Sequence, residues 1–150
     1  MSVELHLHTQ GSKQPDPSCD AVFAVFYFIH NDWPLPGNVG GDAMDHDNSN
    51  AEVGVIALNS GQASASKPQT PYLHRCGIVS HVKMTYVDSE ESLLCEVVSL
   101  VEKCNPDILV GYNTEQLSWG YLLDRAVQLN MNLKQRLSRV PGNTYNIRFM

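Results

Sequence analysis

Runs of apolar residues divide the first half of the chain into candidate β-strands. Residues 1–9 alternate between apolar and polar side chains, which is the period of a strand with one buried face. Residues 21–30 are almost continuously apolar and aromatic, and this predicts a strand that is buried on both faces. Two further strands are predicted at residues 52–58 and within residues 78–87.

The second half of the chain has a helical apolar period. Residues 88–91 have the form of a capping box, and the apolar residues after them recur at helical spacing, namely Leu93, Leu94, Val97, Val98 and Val101. Pro106 predicts that this helix ends at the preceding asparagine. The apolar run at residues 108–110, a glycine and an amphipathic segment then predict a buried strand, a tight turn and a helix. Another short helix is expected near residues 133–137.

Two polar connections interrupt these elements. Residues 31–50 are rich in Asp, Asn, Gly and Pro and predict a long surface loop. Residues 59–71 form a second polar connection, without signs of a domain boundary. The order of strands, helix, strand and helix indicates one α/β domain, although spacing alone is compatible with several α/β sheets.

Composition and charge restrict the function classes. The chain has 150 residues, of which 43% are hydrophobic and 17% charged, as in an ordinary soluble domain. Its formal net charge of −6 argues against a free-standing nucleic-acid binder, because such binding depends on neutralising phosphates. After Tyr121 the balance reverses, with several basic residues against one acid, Asp124; they are Arg125, Lys134, Arg136, Arg139 and Arg148. This edge is either a solvated helix face or a DNA-facing or interdomain surface.

The cysteines and the apolar runs indicate a compartment. The four cysteines, Cys19, Cys76, Cys95 and Cys104, form no CxxC pair, and neither a signal peptide nor an apolar run of the roughly 18 to 20 residues of a membrane span is present. We therefore expect free cysteines that fill core space in a reducing cytosolic or nuclear compartment, and no membrane association.

One motif in the second half carries a specific resemblance. Its residues are Gly111, Tyr112, Asn113, Tyr121, Leu122, Arg125 and Ala126. They resemble the second exonuclease motif of family B DNA polymerases, which reads GYN, three variable residues, Phe-Asp, two residues, YL, two residues and RA. In this chain Leu117 takes the position of the Phe, and Ser118 takes the position of the metal-binding Asp.

The resemblance extends over most of the chain. Residues 2–6 match the first exonuclease motif, normally Ser-Phe-Asp-Ile-Glu, with Glu4 at the Asp position and His6 at the Glu position. The Pro-Asp-Pro element at residues 15–17 follows at the distance found in relatives. A third motif would lie beyond Met150, so residues 1–150 are expected to be a fragment of an exonuclease-like domain. The fold implied is a ribonuclease H-like mixed sheet flanked by helices.

Other residues of the second motif have two interpretations. In the family, the residues matching Tyr112 and Asn113 shape the turn between strand and helix, which suits the backbone tolerance of Asn; the alternative is contact with a nucleic-acid strand. Trp119 and Tyr121 are expected to be core or interdomain anchors, because a helix with this spacing packs against its sheet. Their alternative role is base stacking.

The resemblance also implies a chemistry that this chain lacks residues to perform. Proofreading exonucleases use two divalent ions held by carboxylates. Glu4, His6 and Ser118 supply one carboxylate, one imidazole and one hydroxyl, which is a poor Mg²⁺ site. We expect a non-catalytic domain with no metal or cofactor in this segment. The alternatives are an active 3′ to 5′ exonuclease with altered ligands, a transition-metal site using Glu4, His6 and His8, and a free-standing protein-interaction module.

The run from Ser118 to Leu123 is similar to the branch of the family that copies DNA past lesions without proofreading. The resemblance implies a nuclear parent protein that performs template-directed synthesis, with Mg²⁺ at a polymerase site outside these residues. It also implies primer-template DNA, accessory subunits and a sliding clamp as partners of the parent. Residues 1–150 would scaffold the polymerase and frame the DNA cleft.

Overall fold

The computed structural model describes most of the predicted elements. The described residues are 1–9, 14–31, 51–59 and 82–139. Both predicted polar connections fall outside them except for the first residue of each, and so do Cys76, Arg148 and the chain after residue 139.

Four strands form one mixed sheet in the order β1-β2-β3-β4. Their bounds are β1 Ser2–Leu7, β2 Val22–His30, β3 Ala51–Leu58 and β4 Val82–Val87. β1 pairs antiparallel with β2, β2 pairs antiparallel with β3, and β3 pairs in parallel with β4. The four strands predicted at residues 1–9, 21–30, 52–58 and within 78–87 are present, and the expected α/β architecture with a mixed sheet is confirmed.

β2 is buried on only one face along its second half. Val25, Tyr27 and Ile29 pack into the main core, whereas Phe26 and Phe28 are each 43% exposed. The prediction of a strand buried on both faces is therefore wrong for this half. The physical reason is that the described helices share a core with the opposite face of the sheet.

Four helices follow the sheet in the described residues. They are α1 Glu90–Cys104, α2 Thr114–Leu117, α3 Trp119–Gln128 and α4 Leu133–Leu137. α1 packs on β2, β3 and β4, and its predicted apolar stripe is buried as expected. None of the helices in the described ranges is long and apolar enough to cross a bilayer.

The ends of α1 are set by two polar residues. Ser89 is the N-cap, and its side chain accepts a hydrogen bond from the backbone N–H of Ser92 at 3.1 Å. The predicted capping box is thus misplaced by one residue. At the other end Asn105 adopts a left-handed conformation with φ 43°, and its N–H donates to the Val101 carbonyl at 2.8 Å. The predicted stop before Pro106 is confirmed.

The predicted strand at residues 108–110 is an extended segment at the sheet edge with one bridge, between Ser2 and Val110. The N–H of Val110 donates to the Met1 carbonyl at 2.9 Å, and the N–H of Val3 donates to the Val110 carbonyl at 3.3 Å. Ile108 is 69% exposed and Val110 is 54% exposed, so the prediction that this segment is buried is wrong. Only Leu109 packs against the main core, because the segment lies at the outer edge beyond β1.

The described cysteines are free, and their environments differ. Cys95 and Cys104 are half-buried, but Cys19 is exposed. The expectation that the cysteines fill core space is therefore wrong for Cys19, which lies in the turn before β2.

Candidate functional site

The turn at Gly111 to Asn113 joins the edge segment to the helices. Asn113 has φ 44°, a left-handed conformation that asparagine adopts more readily than most residues. Its carbonyl accepts hydrogen bonds from the N–H groups of Gln116 at 3.0 Å and Leu117 at 2.9 Å. Its side-chain amide also donates to the Gln116 side chain at 3.2 Å. These bonds give Asn113 a structural role in the turn.

Ser118 interrupts what the sequence predicted to be one helix. α2 ends at Leu117 and α3 begins at Trp119, with φ −144° and ψ −134° at Ser118 between them. The Ser118 side chain is completely buried, and its hydroxyl donates to the carbonyl of Val3 in β1 at 2.8 Å. The single predicted helix is therefore wrong, because Ser118 bonds to the sheet at the break between two helices.

Gly111 leaves no space beside Ser118. A Cβ atom built at Gly111 would collide with the Oγ and Cβ atoms of Ser118. The glycine is thus required by the close approach of the turn to the start of α3. A carboxylate at position 118 is larger than a hydroxyl and would have to find room in this tightly packed place.

Glu4 and His6 lie on the opposite, solvent side of β1. Glu4 is exposed, and its Oε1 accepts a hydrogen bond from the backbone N–H of Tyr112 at 3.1 Å. His6 is also exposed and meets the Phe23 ring edge-on, with ring centroids 5.8 Å apart and planes at 79°. His8 is exposed as well, so the predicted polar face of this strand is confirmed.

These positions do not fit the metal pair of a proofreading exonuclease. Magnesium prefers several anionic oxygen ligands, and of the three matched positions only Glu4 carries a carboxylate. The hydroxyl of Ser118 donates a hydrogen bond to the Val3 carbonyl, and the Ser118 side chain is completely buried. Within the described ranges, no group of three or more His, Cys, Asp or Glu side chains is arranged to hold a metal ion.

Trp119 and Tyr121 fix α3 to the rest of the domain. They are 0% and 1% exposed, and the prediction that they are core anchors is confirmed. The indole N–H of Trp119 donates to the Val110 carbonyl at 2.9 Å, and the Tyr121 hydroxyl donates to the Asp20 carbonyl at 2.7 Å. Burial, followed by the charge of Asp20, raises the pKa of Tyr121 to about 12.

Arg125 forms a largely buried ion pair with Glu90 towards the other end of α3, and we call this pair the clasp. Its Nε and Nη2 atoms each donate to a different carboxylate oxygen of Glu90 at 2.8 Å, and its Nη1 atom donates to the Pro17 carbonyl at 3.0 Å. Glu90 Oε1 also accepts the N–H of Val22 at 2.7 Å. The hydrogen bond to Glu90 raises the pKa of Arg125.

The clasp corrects one site prediction. Only 12% of the Arg125 side chain and 10% of the Glu90 side chain are exposed, so the interpretation of Arg125 as a DNA-facing residue is wrong. Its guanidinium donates hydrogen bonds to Glu90 and to the Pro17 carbonyl, both inside the domain. Sequence reasoning missed Glu90 as its partner; the signal was an acid in the first turn of α1, which was interpreted only as part of a helix cap.

The other basic residues remain at the surface. Lys134, Arg136 and Arg139 are exposed. Arg136 pairs with Glu102 at 3.5 Å and Arg139 pairs with Asp107 at 3.2 Å. A groove of about 240 Å³ between the end of α1 and α4 is lined partly by Arg136 and Arg139. Their interpretation as a DNA-facing or interdomain edge stays a prediction.

Comparison with known families agrees with this fold and motif geometry. A family profile described as "DNA polymerase family B, exonuclease domain" matches residues 1–149. The chain therefore belongs to the exonuclease-domain family of family B DNA polymerases, and the mixed α/β sheet agrees with an exonuclease domain of the ribonuclease H-like type.

Within this family, the chain is similar in sequence to the catalytic subunits of DNA polymerase zeta. The chain is 39% identical to the DNA polymerase zeta catalytic subunit of Mus musculus and 38% identical to that of Homo sapiens, in both cases over 153 residues and 99% of this chain. It is 33% identical to the same subunit of Drosophila melanogaster over 94% of this chain. The chain spans only 4% of the mouse and human proteins and 6% of the fly protein.

Proposed function

We propose that this chain is a non-catalytic, exonuclease-like portion of a translesion DNA polymerase similar to DNA polymerase zeta. In this role it scaffolds the polymerase and frames the DNA cleft. The observation that carries the proposal is the pair of hydrogen bonds made by Ser118 and Glu4, two of the three residues that match the metal-binding positions of the exonuclease motifs. Ser118 donates to the backbone of β1, and Glu4 accepts from the backbone of the turn.

These two hydrogen bonds support a structural role for the residues that match the first and second exonuclease motifs. Ser118 links the start of α3 to Val3, and Glu4 links the exposed side of β1 to Tyr112. The first and second motifs thus remain joined, as a metal would have joined them in an active relative. Here the joining groups are a hydroxyl, a carboxylate and backbone atoms, which activate no water for phosphodiester hydrolysis.

The similarity of this chain to the zeta subunits supports the following proposed role for a parent protein. The parent binds primer-template DNA and extends it past lesions, and Mg²⁺ acts at a polymerase site outside residues 1–150. Accessory subunits and a sliding clamp are its further partners, and the nucleus is its compartment. The exposed Lys134, Arg136 and Arg139 then lie at a DNA-facing or interdomain edge.

A cleavage assay tests the non-catalytic role. The protein is extended through the third motif and titrated with Mg²⁺ and Mn²⁺ in the presence of labelled single-stranded DNA. We expect no metal-dependent cleavage, because the positions that match the first two motifs supply only one carboxylate, and a pair of hard ions needs several anionic oxygen ligands. The same preparation is tested with Glu4→Ala, and with Glu91→Ala as a matched control on the exposed surface of α1.

The variants decide the outcome. If the unsubstituted protein cleaves DNA and Glu4→Ala abolishes cleavage while Glu91→Ala does not, the domain is an exonuclease with altered ligands and the proposal is wrong. Cleavage that survives Glu4→Ala is compared with a mock preparation that lacks the protein: equal cleavage in the mock identifies a contaminating nuclease, and cleavage found only with the protein also overturns the proposal. Metal binding that is lost in Glu4→Ala, without any DNA cleavage, would overturn the expectation that this segment binds no metal.

A further inference from the structure

Ser138 differs from the other described serines in the charge of its neighbours. Arg136 precedes it by two residues and Arg139 follows it directly. Within the described ranges, no other serine has an arginine within two residues. Several of them have acids as their nearest charged neighbours, namely Ser18, Ser89 and Ser92. Ser138 therefore has the charge pattern by which one class of protein kinases selects its substrates.

The Ser138 side chain is accessible from a groove. It is half-buried and lines the groove of about 240 Å³ between the end of α1 and α4, together with Arg136 and Arg139. Ser138 is the C-cap of α4 and has an extended backbone, with φ −78° and ψ 128°. An extended backbone presents alternate side chains to a binding cleft, which suits recognition by an enzyme. A phosphoryl group on Ser138 would lie in the same groove as two guanidinium groups.

Both arginines are paired with carboxylates at the surface. Arg136 pairs with Glu102 at 3.5 Å, and Arg139 pairs with Asp107 at 3.2 Å. Each of the four side chains is at least 42% exposed. Exposed pairs of this kind contribute little to stability, because water screens the two charges. A stronger anion in the groove can therefore replace either carboxylate.

Arg139 has further contacts at the end of α1. Its Nη2 atom donates to the carbonyl of Asn105 at 2.7 Å and to that of Pro106 at 2.8 Å. Asn105 is the C-cap of α1, where the helix dipole favours a cation. Arg139 thus ties the end of α4 to the end of α1 and to the residues that lead into the edge segment.

We infer that Ser138 is a phosphorylation site for a protein kinase that selects basic sequences, and that the phosphate draws Arg136 and Arg139 away from α1. The Oγ atom of Ser138 attacks the γ-phosphorus of ATP, the new O–P bond forms as the bond to the ADP leaving group breaks, and the hydroxyl proton passes to the kinase. The phosphate carries a charge of roughly −1.5 to −2 and three acceptor oxygens, so it binds guanidinium groups more strongly than a carboxylate does. The inference goes beyond the proposed function, because it holds whichever surface this basic edge faces.

A kinase assay on the full natural polypeptide tests the site. The polypeptide is incubated with ATP and either a serine kinase that selects basic sequences or one that selects acidic sequences, and mass spectrometry measures phosphate on Ser138. We expect the first kinase to phosphorylate Ser138 about tenfold faster than the second. Arg136→Gln should lower the rate of the first kinase about fivefold, since the selecting cation is lost. Lys83→Gln is the matched control, because it removes an exposed cation on β4 and should leave the rate unchanged.

Hydrogen exchange tests the rearrangement. After phosphorylation we expect the backbone amides of residues 105–110 to exchange about fivefold faster, because Arg139 leaves the carbonyls at the end of α1. The amides of β2 should be unaffected. Ser138→Ala, treated with the same kinase and ATP, is the control and should show no change in either segment.

Each other result contradicts the inference in a specific way. If neither kinase phosphorylates Ser138, the groove does not admit a kinase. Equal rates with the two kinases, or a rate that Arg136→Gln leaves unchanged, mean that the basic neighbours do not select this serine. Phosphorylation without faster exchange at residues 105–110 means that Arg139 keeps its contacts with α1. None of these measurements involves DNA cleavage, so they remain distinguishable from a failure of the non-catalytic role.

Discussion

The two ends of α3 are held by different kinds of contact. At the start, the uncharged Ser118 side chain donates a hydrogen bond to the Val3 carbonyl of β1. Towards the end, the charged Arg125 side chain is held by Glu90 inside the domain. The comparison teaches that a neutral hydrogen bond and an ionic contact can both fix a helix to the rest of the domain.

The two ends also differ in what a substitution would cost. Ser118 makes one neutral hydrogen bond from a buried site, whereas the Arg125 guanidinium connects α1, α3 and the segment before β2. Removing one partner of a buried ion pair leaves an uncompensated charge. Removing a neutral donor leaves only an unsatisfied carbonyl. The ionic end should therefore be the more sensitive of the two.

Arg125→Ala is expected to have the largest effect. It should lower the free energy of unfolding by about 3–5 kcal/mol, because Glu90 would remain buried without its partner. Urea unfolding followed by circular dichroism measures this loss. Arg139→Ala is the matched control, since its ion pair is exposed and should contribute only about 0–1 kcal/mol. Equal losses in the two variants would show that the clasp is no more important than a surface pair.

Ser118→Ala is expected to have an intermediate effect. The Val3 carbonyl would lose its buried donor, which should reduce the free energy of unfolding by about 1–3 kcal/mol. Ser99→Ala is the control, because the Ser99 hydroxyl also donates to a backbone carbonyl, that of Cys95, but is exposed; we expect a change within about 0.5 kcal/mol. If Ser118→Ala is as harmless as the control, the bond to β1 does not brace α3.

Local patterns in the sequence were sufficient for most elements. The period of Leu93, Leu94 and Val97 predicted α1 correctly, because a stripe with helical spacing has one way to be buried. The alternation of residues 1–9 likewise predicted a strand with a polar face. The motif around Gly111 indicated the family, which the family profile confirms over residues 1–149.

The sequence patterns did not predict burial or contacts that depend on residues far away in the chain. Phe26 and Phe28 belong to a continuous apolar run, but the run does not reveal which sheet face the helices cover. Arg125 was grouped with other cations by charge, although its partner Glu90 lies 35 residues away. The break at Ser118 depends on the carbonyl of Val3, 115 residues earlier. Such contacts require the fold itself.

Tyr121→Phe is expected to have the smallest effect on the free energy of unfolding at neutral pH, about 1 kcal/mol for the lost hydrogen bond to the Asp20 carbonyl.

The effect of Tyr121→Phe on stability should change at alkaline pH. The folded-state pKa of about 12 is above the ordinary value of 10.0, so folding favours the neutral phenol. This contribution is complete below about pH 10 and is lost as the pH rises towards 12. The stability advantage of the unsubstituted protein over Tyr121→Phe should therefore shrink across this window, as measured by urea unfolding at a series of pH values. Tyr112→Phe, at a side chain that is 78% exposed, is the control for the removal of a phenol hydroxyl. A stability advantage over Tyr121→Phe that stays constant across this pH window would refute the role of the Tyr121 phenol in anchoring α3.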